Sequence, residues 1–107
     1  MRLVEITYRI TDALPRREQF GLTHQMRRAA VSIPSNIAEG HCRHTRAAYL
    51  NHLSMALGSQ AELETQLELT VRLGMLTAPV SEACANQVAL VGRRLHALVA
   101  SLERSES

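Results

Sequence analysis

The sequence contains few aromatic residues, no tryptophan and no lysine. Aromatic residues make up 3% of the 107 residues, and all 12 basic residues other than histidine are arginine. Hydrophobic residues nevertheless account for 46% of the chain, so its core has to be built from Leu, Ile, Val, Ala and Met. Because these side chains suit interlocking helices better than a sandwich of sheets, the composition predicts a helical protein.

Long apolar runs are also missing. No run reaches the roughly 18–20 residues that span a bilayer, and no charged start with an apolar stretch and a small-residue cleavage site marks an export signal. We therefore expect no membrane association and predict a cytoplasmic protein with two free thiols, Cys42 and Cys84, rather than a disulfide. The length predicts a single domain over residues 1–107.

Charge is distributed unevenly along the chain. Residues 1–53 carry eight Arg against four Asp and Glu, a net of +4, whereas residues 54–107 carry four Arg against six Glu, a net of −2. This asymmetry is typical of a half that binds a polyanion, or of two complementary faces that meet between copies of the chain. Arginines scattered over solvated helix surfaces would give the same count.

Apolar periodicity predicts four helices, over residues 2–14, 20–40 and 45–73 and from Thr77 to Leu102. The last has apolar residues at alternating steps of four and three, which is typical of antiparallel helix packing: Cys84, Val88, Val91, Leu95, Leu98 and Leu102. The predicted fold class is therefore all-α, an antiparallel up-down four-helix bundle.

Local signals refine the ends and surfaces of these helices. Gly40 and Gly74 are predicted to be C-terminal caps, since glycine tolerates positive φ there. Two pairs of opposite charge stand four residues apart, in the orientation that stabilises a helix. These pairs are Glu5 with Arg9 and Glu68 with Arg72.

The second predicted helix contains a proline. Its apolar stripe runs on both sides of Pro34 and consists of Leu22, Met26, Ala30, Ile33 and Ile37. Proline removes the N–H that would bond to the carbonyl of Ala30 and crowds the same turn, which costs about 3 kcal/mol. A pattern that continues through such a residue predicts a kink that is used in packing.

Two polar blocks interrupt the apolar pattern. One flanks the second helix and includes Asn36 and Glu39; the other places Gly58 in the middle of the third helix, followed by Glu62 and Glu64. A mid-helix glycine costs about 1 kcal/mol relative to alanine unless another backbone approaches it. The carboxylates are either solvated or bound in Arg–carboxylate pairs between helices or between subunits. The candidate partners for Glu39, Glu62 and Glu64 are Arg27 and Arg28.

These blocks resemble a known family. The stretches that carry the resemblance are Phe20–Thr23, Arg27–Gly40, Gly58–Ser59, Ala61–Leu67 and Arg72–Gly74. They are similar to the four-helix-bundle proteins encoded in intervening sequences of bacterial large-subunit ribosomal RNA, which are in turn similar to the accessory variability protein of diversity-generating retroelements. The resemblance implies a left-handed up-down bundle, a ring-shaped homopentamer and no known catalysis. By analogy with the retroelement protein it also implies nucleic-acid binding.

Residues suited to catalysis are not arranged for it. No Glu or Asp is followed three residues later by His, as a di-metal bundle requires. The cluster His41-Cys42-Arg43-His44, with His52 downstream, matches no strong zinc spacing, and the dispersed glycines form no phosphate loop. We therefore predict no enzymatic activity, no metal and no cofactor.

Two functions remain open. The first is a cytoplasmic oligomer that binds RNA or DNA through backbone phosphates, without base-edge readout and without the interleaved aromatics of a stacking surface. The second is an oligomeric scaffold without nucleic-acid binding that docks onto a larger protein. The candidate phosphate contacts are Arg16, Arg17, Arg43, Arg46, Arg93 and Arg94. The candidate oligomer contacts are Arg27, Arg28, Pro34, Asn36, Glu39, Gly58, Glu62 and Glu64.

Overall fold

The computed structural model describes residues 2–105, which contain helices and no strand. The elements are α1 (Arg2–Thr11), a 3-10 turn (Arg16–Glu18), α2 (Leu22–His41), α3 (Arg46–Arg72) and α4 (Ala78–Arg104). The predicted all-α class is confirmed. Helix α1 ends three residues before its predicted end, because the residues next to Pro15 are disfavoured in helical conformation and Leu14 N–H bonds to the Thr11 carbonyl in a turn at 3.1 Å.

The four helices form a ring of neighbours. Helix α1 packs against α2 and α4, and α3 packs against the same two, whereas no Cα atoms of the diagonal pairs lie within 8 Å of each other in the described chain. Contacts between α2 and α3 run in opposite directions along the two sequences: Ser32 bonds to Ser59, and Asn36 to His52 further along. The arrangement is therefore a four-helix bundle with α2 and α3 antiparallel.

Helix ends follow the expected chemistry except at one glycine. The side chains of Thr45 and Thr77 cap α3 and α4 by accepting bonds from the N–H three residues on. Gly74 has φ +74° after the end of α3, which confirms the predicted cap. The prediction for Gly40 is wrong, because this glycine lies inside α2 and lacks a positive φ.

Gly40 instead allows α2 and α3 to approach each other. A Cβ atom on Gly40 would lie 2.6 Å from the Cβ of His52 and 3.0 Å from Cδ1 of Tyr49. Any side chain at this position would therefore push α2 away from α3. The glycine is required by packing between the helices and not by the backbone conformation of a helix end.

The core consists of aliphatic side chains, as the composition predicts. Most of the α4 seam is buried, with Leu98 and Leu102 partly buried, and Met26, Ala30 and Ile33 of α2 are fully buried. Helix α2 continues for seven residues beyond Pro34, as the pattern on both sides of the proline predicts. The predicted periodicity therefore identifies the buried faces of α2 and α4.

In helix α1 the apolar spacing of Leu3, Ile6, Ile10 and Leu14 predicts one buried stripe, and the structure buries a different one. Its buried stripe is Leu3, Thr7 and Thr11, while Ile6 and Ile10 are only partly buried. Both threonine hydroxyls donate to the carbonyl four residues earlier, at 2.8 Å for Thr7 and 2.7 Å for Thr11. Because these bonds satisfy the hydroxyls, the methyl groups can face the core.

The two thiols differ in accessibility. Cys84 is buried and Cys42 is exposed. Burial raises the pKa of the Cys84 thiol, an effect that its weak contact with the Thr7 hydroxyl partly offsets. A raised pKa lowers the fraction of the reactive thiolate.

We expect a thiol reagent to modify Cys42 quickly in the folded protein and Cys84 only after unfolding. A colorimetric thiol assay should count one thiol per chain in buffer and two in denaturant. In Cys42→Ser, the fast phase should disappear while the slow one stays. Equal reaction rates for both thiols in the folded protein would contradict the buried position of Cys84.

None of the helices within residues 2–105 is both long and apolar enough to cross a membrane.

Candidate oligomer and nucleic-acid interfaces

The connections at the two ends of the bundle carry exposed arginines. Arg16 and Arg17 lie in the 3-10 turn between α1 and α2, and Arg46 begins α3. None of the three forms an ion pair within residues 2–105. Arg43, by contrast, lies 3.5 Å from a carboxylate oxygen of Glu39 and is half exposed. The connections therefore hold three arginines that are available to an anion and one that is partly engaged.

The six predicted phosphate contacts do not form a single patch in one chain. The 20 residues of α2 separate the two connections by about 30 Å at 1.5 Å per residue. Arg93 and Arg94 are exposed on α4. The nearby Val88 carbonyl accepts a hydrogen bond from Gln60 in the middle of α3, so the two arginines lie between the two ends of the bundle. The structure therefore divides the set into three separate groups, and a continuous band needs more than one copy.

Arg27 fastens α1 to α2 within the chain. Its guanidinium donates to a carboxylate oxygen of Asp12 and to the hydroxyl of Thr11, both at 2.8 Å. The guanidinium carbon also lies 4.6 Å from the centre of the Tyr8 ring, a cation–π geometry. The sequence did not point to Asp12, because this residue lies in the turn after α1.

The Arg–carboxylate pairs predicted between helices do not form within the chain. Neither Arg27 nor Arg28 lies within 4.0 Å of Glu39, Glu62 or Glu64 in the part of the chain that the structure describes. Arg28 and Glu62 line the same small groove but form no ion pair in residues 2–105. The intrachain version of the prediction is therefore wrong, while pairing between subunits stays a prediction.

Asn36 and Glu39 belong to a network around His52 that joins α2 to α3. Asn36 Nδ2 donates to the Ser32 carbonyl at 2.9 Å, so its Oδ1 accepts from His52 Nδ1 at 3.3 Å. Arg43 Nε donates to His52 Nε2 at 3.4 Å, and Glu39 lies 3.9 Å from Nδ1. These partners assign the proton of His52 to Nδ1. The network holds the end of α2 against α3.

Helix α3 presents an exposed stripe that crosses the polar block. Its members stand three or four residues apart and therefore share one helical face. We call it the outer α3 stripe: Met55, Gly58, Glu62, Thr65 and Leu69. The side chains of Met55 and Leu69 are each 42% exposed, and a Cβ on Gly58 would meet no atom within 4 Å.

The expected close approach at Gly58 is therefore not made by any other helix of the same chain. The glycine and the carboxylates stand out in the sequence, whereas Met55 and Leu69 were not predicted to belong with them. The signal that could have found these two residues is the spacing of 3, 4, 3 and 4 residues through Gly58.

Histidine and cysteine side chains near the α2–α3 connection are not gathered into a metal site. His41 packs edge-on against Tyr49, with ring centres 5.8 Å apart, and Cys42 and His44 are exposed. Among residues 2–105, no three His, Cys, Asp or Glu side chains are placed to hold a metal ion.

Family comparison places this bundle among known sequences. Residues 1–97 match the model of the 23S rRNA-intervening sequence protein family. The chain belongs to this family. Comparison with curated protein sequences finds no match.

A solved member of the S23 ribosomal protein family has the same fold. This protein of unknown function from Bacteroides thetaiotaomicron is 25% identical to our chain, with a TM-score of 0.83. The similarity covers 92% of our chain and 88% of the other. The solved neighbour therefore supports the fold, and neither comparison indicates an enzymatic family.

Proposed function

We propose that this intervening-sequence family protein is a non-enzymatic cytoplasmic homo-oligomer, a pentamer, that binds nucleic acid through arginine–phosphate contacts. The observation that carries the proposal is a set of exposed arginines without an ion pair in the described chain: Arg16, Arg17, Arg46, Arg93 and Arg94. Unpaired guanidinium groups are the preferred donors to phosphate oxygens.

Assembly raises the net positive charge of the particle. One chain carries a net charge of +2, whereas five copies carry about +10, and a ring repeats each exposed arginine group around its axis. The separation of the arginines into three groups within one chain makes this repetition necessary for a continuous basic surface. The number five comes from the resemblance to the intervening-sequence proteins and to the retroelement accessory protein.

The outer α3 stripe is the surface that we assign to contacts between copies. It combines two exposed apolar side chains with an open glycine, where another backbone can approach closely. The carboxylates Glu62 and Glu64 lie on the same helix without an ion pair in residues 2–105. A ring joins one face to a different face of the next copy, so these carboxylates can meet unpaired arginines there.

Binding of this kind should depend strongly on salt and weakly on sequence. We expect binding of RNA and DNA oligonucleotides at about 50 mM salt and a large loss of affinity at about 200 mM, because each phosphate contact releases counterions. The measurement is a fluorescence-anisotropy titration at both salt concentrations. Arg16→Ala/Arg17→Ala should weaken binding and flatten the salt slope by about one unit for each arginine that no longer binds a phosphate.

Arg72→Ala is the matched control, since Arg72 is also exposed but is paired with Glu68 at 3.0 Å. It should leave the salt slope unchanged. Equal slopes for wild type and Arg16→Ala/Arg17→Ala would show that this connection does not contact phosphate.

An oligomeric scaffold that docks onto a larger protein is the second candidate. It is favoured by two exposed apolar side chains, Leu73 at 63% and Val80 at 51%, because exposed apolar surface marks protein contacts. Undetectable nucleic-acid binding at about 50 mM salt, where phosphate contacts are strong, would favour this function over the first.

A further inference from the structure

Phe20 is the most exposed large hydrophobic residue in the described chain. Its side chain is 88% exposed, and it lies in the connection between the 3-10 turn and α2. Burying a phenylalanine contributes about 1.5–3 kcal/mol. The chain has one Phe and two Tyr, so this exposed ring stands out among few aromatic side chains.

Two arginines and one glutamate precede this ring along the chain. Arg16 and Arg17 lie four and three residues before Phe20, exposed and without an ion pair in residues 2–105. Glu18 lies between them and Phe20, and its Oε1 accepts from Leu22 N–H at 3.3 Å, so the segment keeps an excess of positive charge. The connection therefore presents an aromatic face together with two available guanidinium groups.

A polar cleft of about 290 Å³ lies between the end of α1 and the start of α2. Phe20 does not line it, but Arg16 and Gln19, which stand close to Phe20 in the chain, do. This size falls near the lower end of small-ligand sites. The Asp12 carboxylate also lines the cleft, where it is paired with Arg27 at 2.8 Å, so Arg16 is the lining side chain left to contact a phosphate.

We propose that Phe20 is a stacking platform for an unpaired base, with Arg16 and Arg17 on the flanking phosphates. The proposal rests on the nucleic-acid binding proposed above and narrows its ligand to single strands. It also amends the expectation of pure backbone recognition, since one aromatic ring beside cations is the basic unit of a single-strand site.

A second copy of the chain is a poorer occupant for this connection. In a ring the connection would meet a different face of the next copy. The face assigned to that contact, the outer α3 stripe, carries one carboxylate, Glu62, for two guanidinium groups. A polyanion with flat apolar bases matches both the charge and the ring. Emission of the Phe20→Trp variant distinguishes the two occupants, because only contact between copies depends on protein concentration alone.

The absence of tryptophan makes Phe20→Trp a unique fluorescent reporter. We expect an oligothymidylate of about 15 nucleotides, within the range of single-strand sites, to quench the emission at about 50 mM salt. An abasic strand with the same number of phosphates should bind without quenching. Phe20→Ala should lose about 5- to 150-fold in affinity for the single strand and keep its affinity for duplex DNA.

Leu73→Ala is the matched control, because Leu73 is another exposed apolar side chain at 63%. It should keep wild-type affinity for the single strand, and helix content by circular dichroism should match in all variants.

Three outcomes would overturn the proposal. Equal single-strand affinity of wild type and Phe20→Ala would remove Phe20 from the site while leaving the arginine–phosphate contacts in place. A blue shift of the Trp emission with protein concentration alone would make Phe20 a contact between copies. Undetectable binding of any nucleic acid would remove both the stacking site and the proposed function.

Discussion

Gly40→Ala is expected to lower the free energy of unfolding by about 1–3 kcal/mol, the usual cost of forcing extra atoms into a packed core. The added methyl would lie 2.6 Å from the Cβ of His52. A Cβ atom is fixed by its backbone, so α2 and α3 have to separate before the methyl fits. Intrinsic helix propensity acts in the opposite direction, since alanine is favoured over glycine by about 1 kcal/mol.

Urea unfolding followed by circular dichroism at fixed chain concentration measures this difference. Gly58→Ala is the matched control for the single chain, because it adds the same methyl inside a helix where nothing in residues 2–105 except that helix's own backbone lies within 4 Å. Since Gly58 belongs to the outer α3 stripe, both variants are compared at a chain concentration too low for assembly. For the control we expect no loss, or a gain of about 0.4–1 kcal/mol in the single chain. If Gly40→Ala were as stable as wild type, the close approach of α2 and α3 at His52 would be wrong.

Reversing the charge of two carboxylates on α3 is expected to dissociate the proposed oligomer. In Glu62→Arg/Glu64→Arg, any arginine of a neighbouring copy that meets these positions faces a like charge, which costs several kcal/mol at an interface. Neither carboxylate forms an ion pair within residues 2–105, so folding of the single chain should be preserved. Size-exclusion chromatography with light scattering should show a smaller particle of unchanged helix content.

Glu103→Arg serves as the control for this experiment. It makes the same kind of change on the exposed last turn of α4, away from the outer α3 stripe. The control should assemble like wild type. If the double variant also assembles like wild type, the carboxylates do not contact a neighbouring copy.

Local signals in the sequence predicted most of the fold. The α4 seam was identified because apolar residues three and four apart must share a helical face. The pair Glu68 and Arg72 forms at 3.0 Å, as its spacing predicts. Glu5 and Arg9 have the same spacing, yet no ion pair between them is found in the described residues. Exposed pairs of this kind contribute little, so spacing alone does not decide whether they form.

Features that depend on a second helix were not predictable in the same way. Gly40 has the sequence position of a cap, and only the placement of His52 on α3 shows that it is a packing glycine. Thr7 and Thr11 interrupt the apolar pattern of α1, although hydrogen bonds to their own helix allow them to be buried.

The candidate site was predicted in part. The exposure of the arginines at the connections follows from their position between or at the ends of the long helices, because connecting segments lie on the surface. The partner of Arg27 did not follow, since Asp12 reaches it only when the turn after α1 folds back on α2. Surfaces that would meet between copies are harder still to identify. Their apolar residues form a short second stripe on a helix whose main apolar face is already buried inside the chain.

Light scattering of the unmodified protein at micromolar concentration measures directly whether copies of the chain assemble. Arginine groups that are separate in one chain form a continuous surface only if copies assemble. We expect a particle of about 60 kDa, five copies of the 11.9 kDa chain. A mass of 11.9 kDa under these conditions would contradict the proposed pentamer.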